Sequence, residues 1–500
     1  MAQPFYITTP IYYVNDIPHI GHAYTTLACD TLARYKRLAG DDVYFLTGTD
    51  EHGQKVEKAA EQKGLAPQDF VDQVSQSFRD LIPAINATPD DFIRTTEIRH
   101  KQAVQHLWDE LVKQGAIYLG EYSGWYAVRD EAFYGEGELV NGKAPTGADV
   151  EWVTESSYFF RLSAFQDRLL ELYHQNPGFI APQSRRNEVM RFVEGGLHDL
   201  SISRTSFKWG VTVPNDPKHV VYVWLDALTN YITALEYPDQ GGNFGKYWPH
   251  AIHVVGKDIL RFHAVYWPAF LMAANLPLPK QIFAHGWWTN EGEKISKSLG
   301  NTIDPIELVQ TFGADAVRYF LLREVSFGQD GDFSRQQLIN RYNSDLANAY
   351  GNLVQRVLSF IHKSCDGVVP KPQDLQESDQ DLLNACMITT QLETDMEALA
   401  FHKYADHAWQ IIAHANRYMD EQKPWGLKTT DVPRMHTILY ALADTIRQIA
   451  LLTQPLLPVA SAAILDQLAI PLDQRKLVGN PLKPGTPLPE PKGVFPRYVP

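Results

Sequence analysis

At 500 residues, with 44% apolar and 21% charged side chains, the chain is too long for one ordinary hydrophobic core and has the composition of a globular protein of two or three domains. Its formal net charge of -14 excludes a protein that coats nucleic acid by bulk attraction, although a local basic groove stays open to it. Three scattered cysteines, Cys29, Cys365 and Cys386, exclude a disulfide framework or a Cys-rich zinc knuckle, and no apolar run approaches the ~18 residues of a membrane span.

In chain order, residues 5–9 (FYITT) read as a short buried strand, 10–18 as a loop, and 21 onward as a helix. In that helix Ala23, Leu27, Ala28, Leu32, Tyr35 and Leu38 fall near helical spacing, and Gly40 supplies a stop. A strand this early, with no basic segment leading into an apolar one, leaves no room for a cleaved presequence, and the expected compartment is cytoplasmic. Residues 43–47 (VYFLT) read as a second strand, 54–63 and 67–81 as helices, and Phe92-Ile93 as a short strand. Val104, Leu107, Trp108, Leu111 and Val112 then form one helical stripe closed by Gly115. This alternation predicts a parallel sheet with helical crossovers over 1–115.

From 116 to 218 the alternation breaks down into a Gly- and aromatic-rich stretch with the turn-rich connection NGKAPTGA, as an inserted domain would. Strand-helix alternation resumes over 219–333, with strands at 220–223, 252–255 and 282–284 and a helix over 259–274. Residues 334–470 read as helices only, with Leu346, Tyr350, Leu353, Val357 and Leu358 on one face, and a Pro-rich tail closes the chain over 471–500.

Two small basic motifs stand out. His19-Ile20-Gly21-His22 sits at the first strand-to-helix junction, where unpaired backbone N–H groups and the helix dipole favour bound phosphate, and Gly21 permits close approach of a ligand. Lys294-Ile295-Ser296-Lys297-Ser298 lies in a polar loop after the strand at 282–284, able to close over a polyphosphate. Either motif alone is as readily a capping pair or a solvated loop. The ordered pair in these contexts is what a site needs to hold both ends of a nucleoside triphosphate.

The whole arrangement resembles a class I aminoacyl-tRNA synthetase, and its motifs are similar to those of the methionyl-tRNA synthetase family along nearly the whole chain. The stretches that carry the likeness are YITTPIYYVNDIPHIGHAYT, FLTGTDEHGQK, GLHDLSISRTSFKWGVTVP, YVWLDALTNY, VVGKDILRFHAVYWPAFL, GEKISKSLGN, DLANAYGNLVQR and EQKPWGL. The resemblance implies an α/β fold: a split Rossmann-like parallel-sheet catalytic domain with an inserted connective domain, followed by an all-α anticodon-binding bundle. It implies activation of L-methionine by ATP, carried with Mg²⁺, and transfer to initiator and elongator tRNA(Met). It also assigns residues. His19, His22, Lys294 and Lys297 would be catalytic, and Gly21, Gly256, Asp258, Lys294 and Lys297 would hold ATP. Asp50 would pair the methionine ammonium, while Ile11, Tyr13, Trp224, Ala227, Tyr231 and His263 would wall the thioether. Asn352, Arg356 and Trp425 would read the anticodon.

One departure from the family matters. Many members carry cysteine zinc knuckles in the insert, and the matching region here has no cysteine, so no metal ligand is expected and no zinc. A C-terminal dimerisation module of some relatives is also missing, which favours a monomer. The isoleucine, valine and leucine enzymes would need a large editing insertion in the ~270 residues between the motifs, a span already filled by sheet halves and a modest insert. The cysteine enzyme would need a zinc thiolate site. A silent tRNA-binding paralogue has no use for intact histidines and lysines at both motifs, and a smaller adenylyltransferase leaves the helical bundle unexplained.

Overall fold

The computed structural model describes residues 2–14, 17–130, 132–295, 301–387 and 390–499. Among them a seven-stranded sheet forms the catalytic body. Its strands are β1 (Pro4–Thr8), β2 (Tyr12–Tyr13), β3 (Asp42–Asp50), β4 (Asp91–Arg94), β5 (Ile180–Ala181), β6 (Ala251–Gly256) and β7 (Gln281–His285). All pair in parallel, in the order β2-β3-β1-β6-β7-β5 with β4 on β3. β1 therefore lies between β3 from the first half of the chain and β6 from the second, and the two halves close across it. In an open parallel sheet that point of reversal leaves a crevice at the carboxyl ends of the strands, where ligands bind.

Two expectations from the sequence change here. β5 belongs to the catalytic sheet although it comes from the span 116–218, so that span is not wholly a separate insert. The insert's own antiparallel sheet is built from Ile117–Ala127, Ala132–Tyr134, Glu151–Phe160 and Leu200–Ser201. A two-residue strand is too short to leave a periodic signal. The strand expected at 220–223 is Asp216–Val221, and it pairs antiparallel in a separate three-stranded sheet.

Helix α1 (Ile20–Ala39) follows β1 and ends on Gly40 at φ 95°, as its stop signal requires. α2 (Ile98–Lys113) buries Val104, Leu107, Trp108 and Leu111, whereas Val112, one step of ~100° round the helix, is exposed. The helix expected over 259–274 is interrupted by a π-helical turn, Phe262–Tyr266, before the α-helix Trp267–Ala273. Pro268 is the cause: it has no N–H for the carbonyl of Ala264, which accepts the Tyr173 hydroxyl at 2.6 Å instead. His263 rides on this turn.

The C-terminal bundle packs Asn352–Ser364, Phe401–Gln422 and Val432–Thr453. Leu346, Tyr350, Leu353, Val357 and Leu358 are all buried there. One hydrophobic cluster runs from Ile7 and Leu27 of the catalytic body through Leu321 to Leu442 of the bundle. The two bodies thus share a core, and the tail returns along the bundle with backbone bonds between Val369 and both Gly485 and Thr486.

Candidate active site

At the start of α1 the chain caps itself with imidazoles. His19 Nδ1 accepts the Gly21 N–H at 3.1 Å, and His22 Nδ1 accepts the His19 N–H at 3.0 Å. With each Nδ1 acting as acceptor, the single proton of a neutral ring sits on Nε2. The rings lie 3.9 Å apart. Burial against Tyr12 and Phe78, reinforced by His19, holds the His22 pKa well below the ordinary histidine range. The sequence reading of a cationic histidine motif is therefore corrected for His22, which is a neutral N–H donor at pH 7.

The expected unpaired amides are corrected too. Ile20 N–H bonds Ile303 O, Gly21 N–H bonds His19 Nδ1, and His22 and Ala23 N–H both reach His19 O. Side-chain donors and the helix dipole, rather than bare helix-start amides, are left to meet an anion. Gly21 also has a second reason to be glycine: a Cβ there would lie 3.0 Å from His19 Cε1 and push the cap apart.

Beside this junction a cavity of about 530 Å³ opens at the carboxyl ends of β1, β3 and β6. Ile11, Tyr13, Asp50, Trp224, Ala227, Tyr231 and His263 line it, and so do His19, Gly21, His22, Gly256 and Asp258. Residues as far apart as 11 and 263 are thus brought together. Asp50 ends β3 in register with Tyr13 and is nearly buried. Trp224 stacks on Phe262 with ring centres 3.7 Å apart and planes 6° from parallel. Tyr231 lies 2.7 Å from His263 Nε2, and His263 Nδ1 lies 2.9 Å from the Ile259 carbonyl. A carbonyl only accepts, so Nδ1 carries the proton and Tyr231 donates to Nε2. Burial lowers the His263 pKa to about 4, which keeps the ring neutral.

That shift predicts an acid sensitivity. An imidazole that binds its proton near 6.5 when unfolded but only near 4 when folded gives the unfolded state more protons between those values, so stability is full above 6.5 and falls as pH drops towards 4. The group's share is about 3 kcal/mol. Urea unfolding of the wild type and His263→Gln at pH 7 and pH 4.5 should show a smaller acid loss in the variant; equal losses would contradict the assignment.

Several lining residues escaped the sequence reading. Lys55, Asn230, Ile259, His285 and Trp287 also face the cavity. Trp287 donates from Nε1 to Asp258 Oδ1 at 3.0 Å, and Lys257 pairs with Asp330 at 2.6 Å. The usable signal for Trp287 was its place just past a buried parallel strand, where this fold puts its site. A Cβ on Gly256 would come within 2.5 Å of Asp258 Oδ1, so the Asp258 carboxylate would have to shift.

A second cavity of about 380 Å³ shares His19, Gly21, His285 and Trp287 with the first and is also lined by Ile295, Thr302, Ile303 and Asp304. Lys294 lies in a two-residue strand paired antiparallel with Trp288–Asn290. Its side chain, and residues 296–300 with Lys297, lie outside the described residues. The segment after the lysine motif nevertheless reaches the histidine motif, since Ile303 bonds Ile20, and Asn290 bonds Asn301 to join the motif's two flanks.

In the bundle Asn352 is exposed at the start of its helix, with Arg356 one turn on. The Arg356 guanidinium lies 5.9 Å from the ring centre of Trp425, which is 47% exposed, and 2.8 Å from Asp420. Arginine and tryptophan so placed offer a face on which an unpaired base can stack.

Comparison with known proteins agrees over the full length. The family model for class I tRNA synthetases (M) matches residues 5–151 and 137–358, and that for the anticodon binding domain of methionyl tRNA ligase matches 369–497. A methionine–tRNA ligase of Rickettsia bellii is 57% identical over 100% of both chains, and one of Brucella suis is 53% identical over 99% of this chain and 98% of its own. The structure of Mycobacterium tuberculosis methionyl-tRNA synthetase in complex with methionyl-adenylate superposes with a TM-score of 0.97 at 50% identity, covering 99% of this chain and 100% of that one. With both family models matched in order and relatives above 50% identity end to end, the chain belongs to the methionyl-tRNA synthetase family of class I aminoacyl-tRNA synthetases.

Proposed function

We propose that the cavity at the carboxyl ends of β1, β3 and β6 carries both half-reactions of a methionine–tRNA ligase, with residue roles as follows. The carboxylate of L-methionine attacks the α-phosphorus of ATP; the bond to the bridging oxygen breaks and pyrophosphate departs. No enzyme nucleophile is needed, only alignment and stabilisation of charge on the five-coordinate phosphorus. His19 and His22 supply neutral N–H donors from Nε2. Lys294 and Lys297 supply positive charge for the leaving pyrophosphate. Asp50 takes the substrate ammonium; Ile11, Tyr13, Trp224, Ala227, Tyr231 and His263 enclose the thioether, whose sulfur gains ~0.3 to 1.5 kcal/mol from each aromatic contact. Gly256 and Asp258 meet the adenosine. In the second step a ribose hydroxyl at the tRNA 3′ end attacks the methionyl carbonyl, and AMP leaves.

Mg²⁺ enters with ATP. It takes its oxygens from phosphate and water. No zinc enters the scheme, because the insert has no cysteine. One chain carries both the cavity and the anticodon face, so a monomer suffices, and the same face would serve initiator and elongator tRNA(Met) in the cytoplasm. Among the described residues no helix is long and apolar enough to cross a membrane.

The observation that carries this reading is the single cavity in which the methionine residues meet the histidine pair. ATP–pyrophosphate exchange with each of the twenty amino acids tests it: methionine alone should give a strong signal, and a stronger one for another amino acid would overturn it. For the bundle, Trp425→Ala should lower kcat/KM for tRNA about 10- to 100-fold through loss of ~1–3 kcal/mol of base stacking. Adenylate formation should stay within about two-fold, because the cavity is built elsewhere. Loss of both activities would mark Trp425 as structural.

A further inference from the structure

Behind the methionine side of the cavity lies a buried charged cluster with no contact to the cavity itself. The Asp226 carboxylate, wholly inaccessible, meets His52 Nδ1 at 2.6 Å through Oδ2 and His100 Nε2 at 2.8 Å through Oδ1. Both imidazoles are buried as well. A buried carboxylate is costly unless its oxygens are fully met, and here each is given one N–H donor.

What the cluster joins is informative. His52 stands two residues beyond Asp50, at the end of β3. Asp226 lies in the short helix α3 (Val223–Leu228), between the cavity residues Trp224 and Ala227 and five residues before Tyr231. His100 belongs to α2 and anchors the pair from outside. One wall of the cavity therefore comes from the first half of the chain and the other from the second, more than 170 residues later, and His52 to Asp226 ties them directly behind the cavity, beside the bond from the Tyr6 hydroxyl to the Tyr231 carbonyl.

Further bonds hold the outer histidine in place. Thr233 Oγ1 donates to the Thr229 carbonyl at 2.9 Å and lies 3.3 Å from His100 Nδ1, while His100 Nε2 faces the carboxylate.

We propose that Asp226, gripped by His52 and His100, is a positioning residue that sets the distance between Asp50 and the Trp224–Ala227–Tyr231 wall, and so sets the affinity for methionine. The proposal rests on the reading of this cavity as the methionine site. Although burial opposes the charge, His52 and His100 outweigh it and hold the Asp226 pKa down at about 2, so the carboxylate is ionised throughout the working range.

The test compares His52→Leu, which removes the donor, with His52→Asn, whose amide nitrogen can occupy the place of Nδ1. ATP–pyrophosphate exchange gives kcat and the KM values for methionine and ATP separately. His52→Leu should raise the KM for methionine about ten-fold or more, as expected for a lost hydrogen bond to a charged group. Its KM for ATP should stay within about two-fold, and His52→Asn should bring the methionine KM back to within about three-fold of wild type. Equal methionine KM values for the two variants, or parallel rises for both substrates, would overturn the proposal. If His52→Leu does not fold, His52→Gln, whose amide nitrogen falls at the place of Nε2 and not of Nδ1, replaces it: a methionine KM equal to that of His52→Asn would count against the cluster and a selective rise would support it. Absence of methionine-dependent exchange in the wild type would instead defeat the functional reading.

Discussion

Replacing His22 with alanine should lower the rate of methionine activation about 10²- to 10³-fold while changing the KM for methionine little, the size of effect seen when one preorganised donor is taken from developing negative charge. The donor is a neutral N–H on Nε2, because Nδ1 is occupied by the His19 amide and burial keeps the ring from gaining a second proton. A neutral donor makes a second statement. The activation rate should not fall as pH rises from 6 to 8 on account of this group; a fall through the ordinary histidine range, abolished in the variant, would show that an imidazolium is required. Alanine also leaves the His19 N–H uncapped, at about 1 kcal/mol. His22→Gln separates the two effects, since its side-chain oxygen can cap that N–H as glutamine does at the third helical position. It should regain the lost stability without regaining the full rate.

Lys297→Ala should reduce the activation rate on a similar scale, about 10²-fold or more, with methionine binding nearly unchanged. The positive charge is wanted on the pyrophosphate as the α-phosphorus bond breaks, a demand that grows between ground state and transition state. The segment that follows its loop abuts the histidine junction through Ile303 to Ile20, and Asn290 to Asn301 ties that segment to the strand that leads into the loop. Pre-steady-state adenylate formation measures the rate, and equilibrium methionine binding measures the other term. An unchanged rate would remove Lys297 from the mechanism. A loss of methionine affinity equal to the loss of rate would mean that the loop serves binding alone.

The parts legible in the sequence are those whose causes are local. β1, the loop after it and α1 follow from an apolar run, a proline-bounded gap and a 3.6-residue stripe closed by Gly40. Asp50 is placed by the resemblance to a family, and it ends an apolar strand, where parallel sheets present their ligand groups. Pattern failed where the cause lies far along the chain. The amides of α1 read as unpaired from local sequence, yet Ile303, 283 residues away, supplies one partner. His22 read as cationic, yet Tyr12 and Phe78 bury it into neutrality. β5 is too short to carry a period, and the π turn under His263 needed both Pro268 and a hydroxyl from Tyr173.

By itself the sequence determined the order of strands and helices, the two motifs and, through its resemblance to a family, the residue types that handle methionine, ATP and tRNA. Periodicity, capping and turn chemistry act within a few residues, so they are written wherever those residues stand. Only the tertiary structure decided which imidazoles are neutral, which helix-start amides are already paired, and that His52, His100 and Asp226 form one buried cluster. Those properties depend on desolvation and on partners brought together by sheet closure, and neither exists until the two halves of the chain have met across β1.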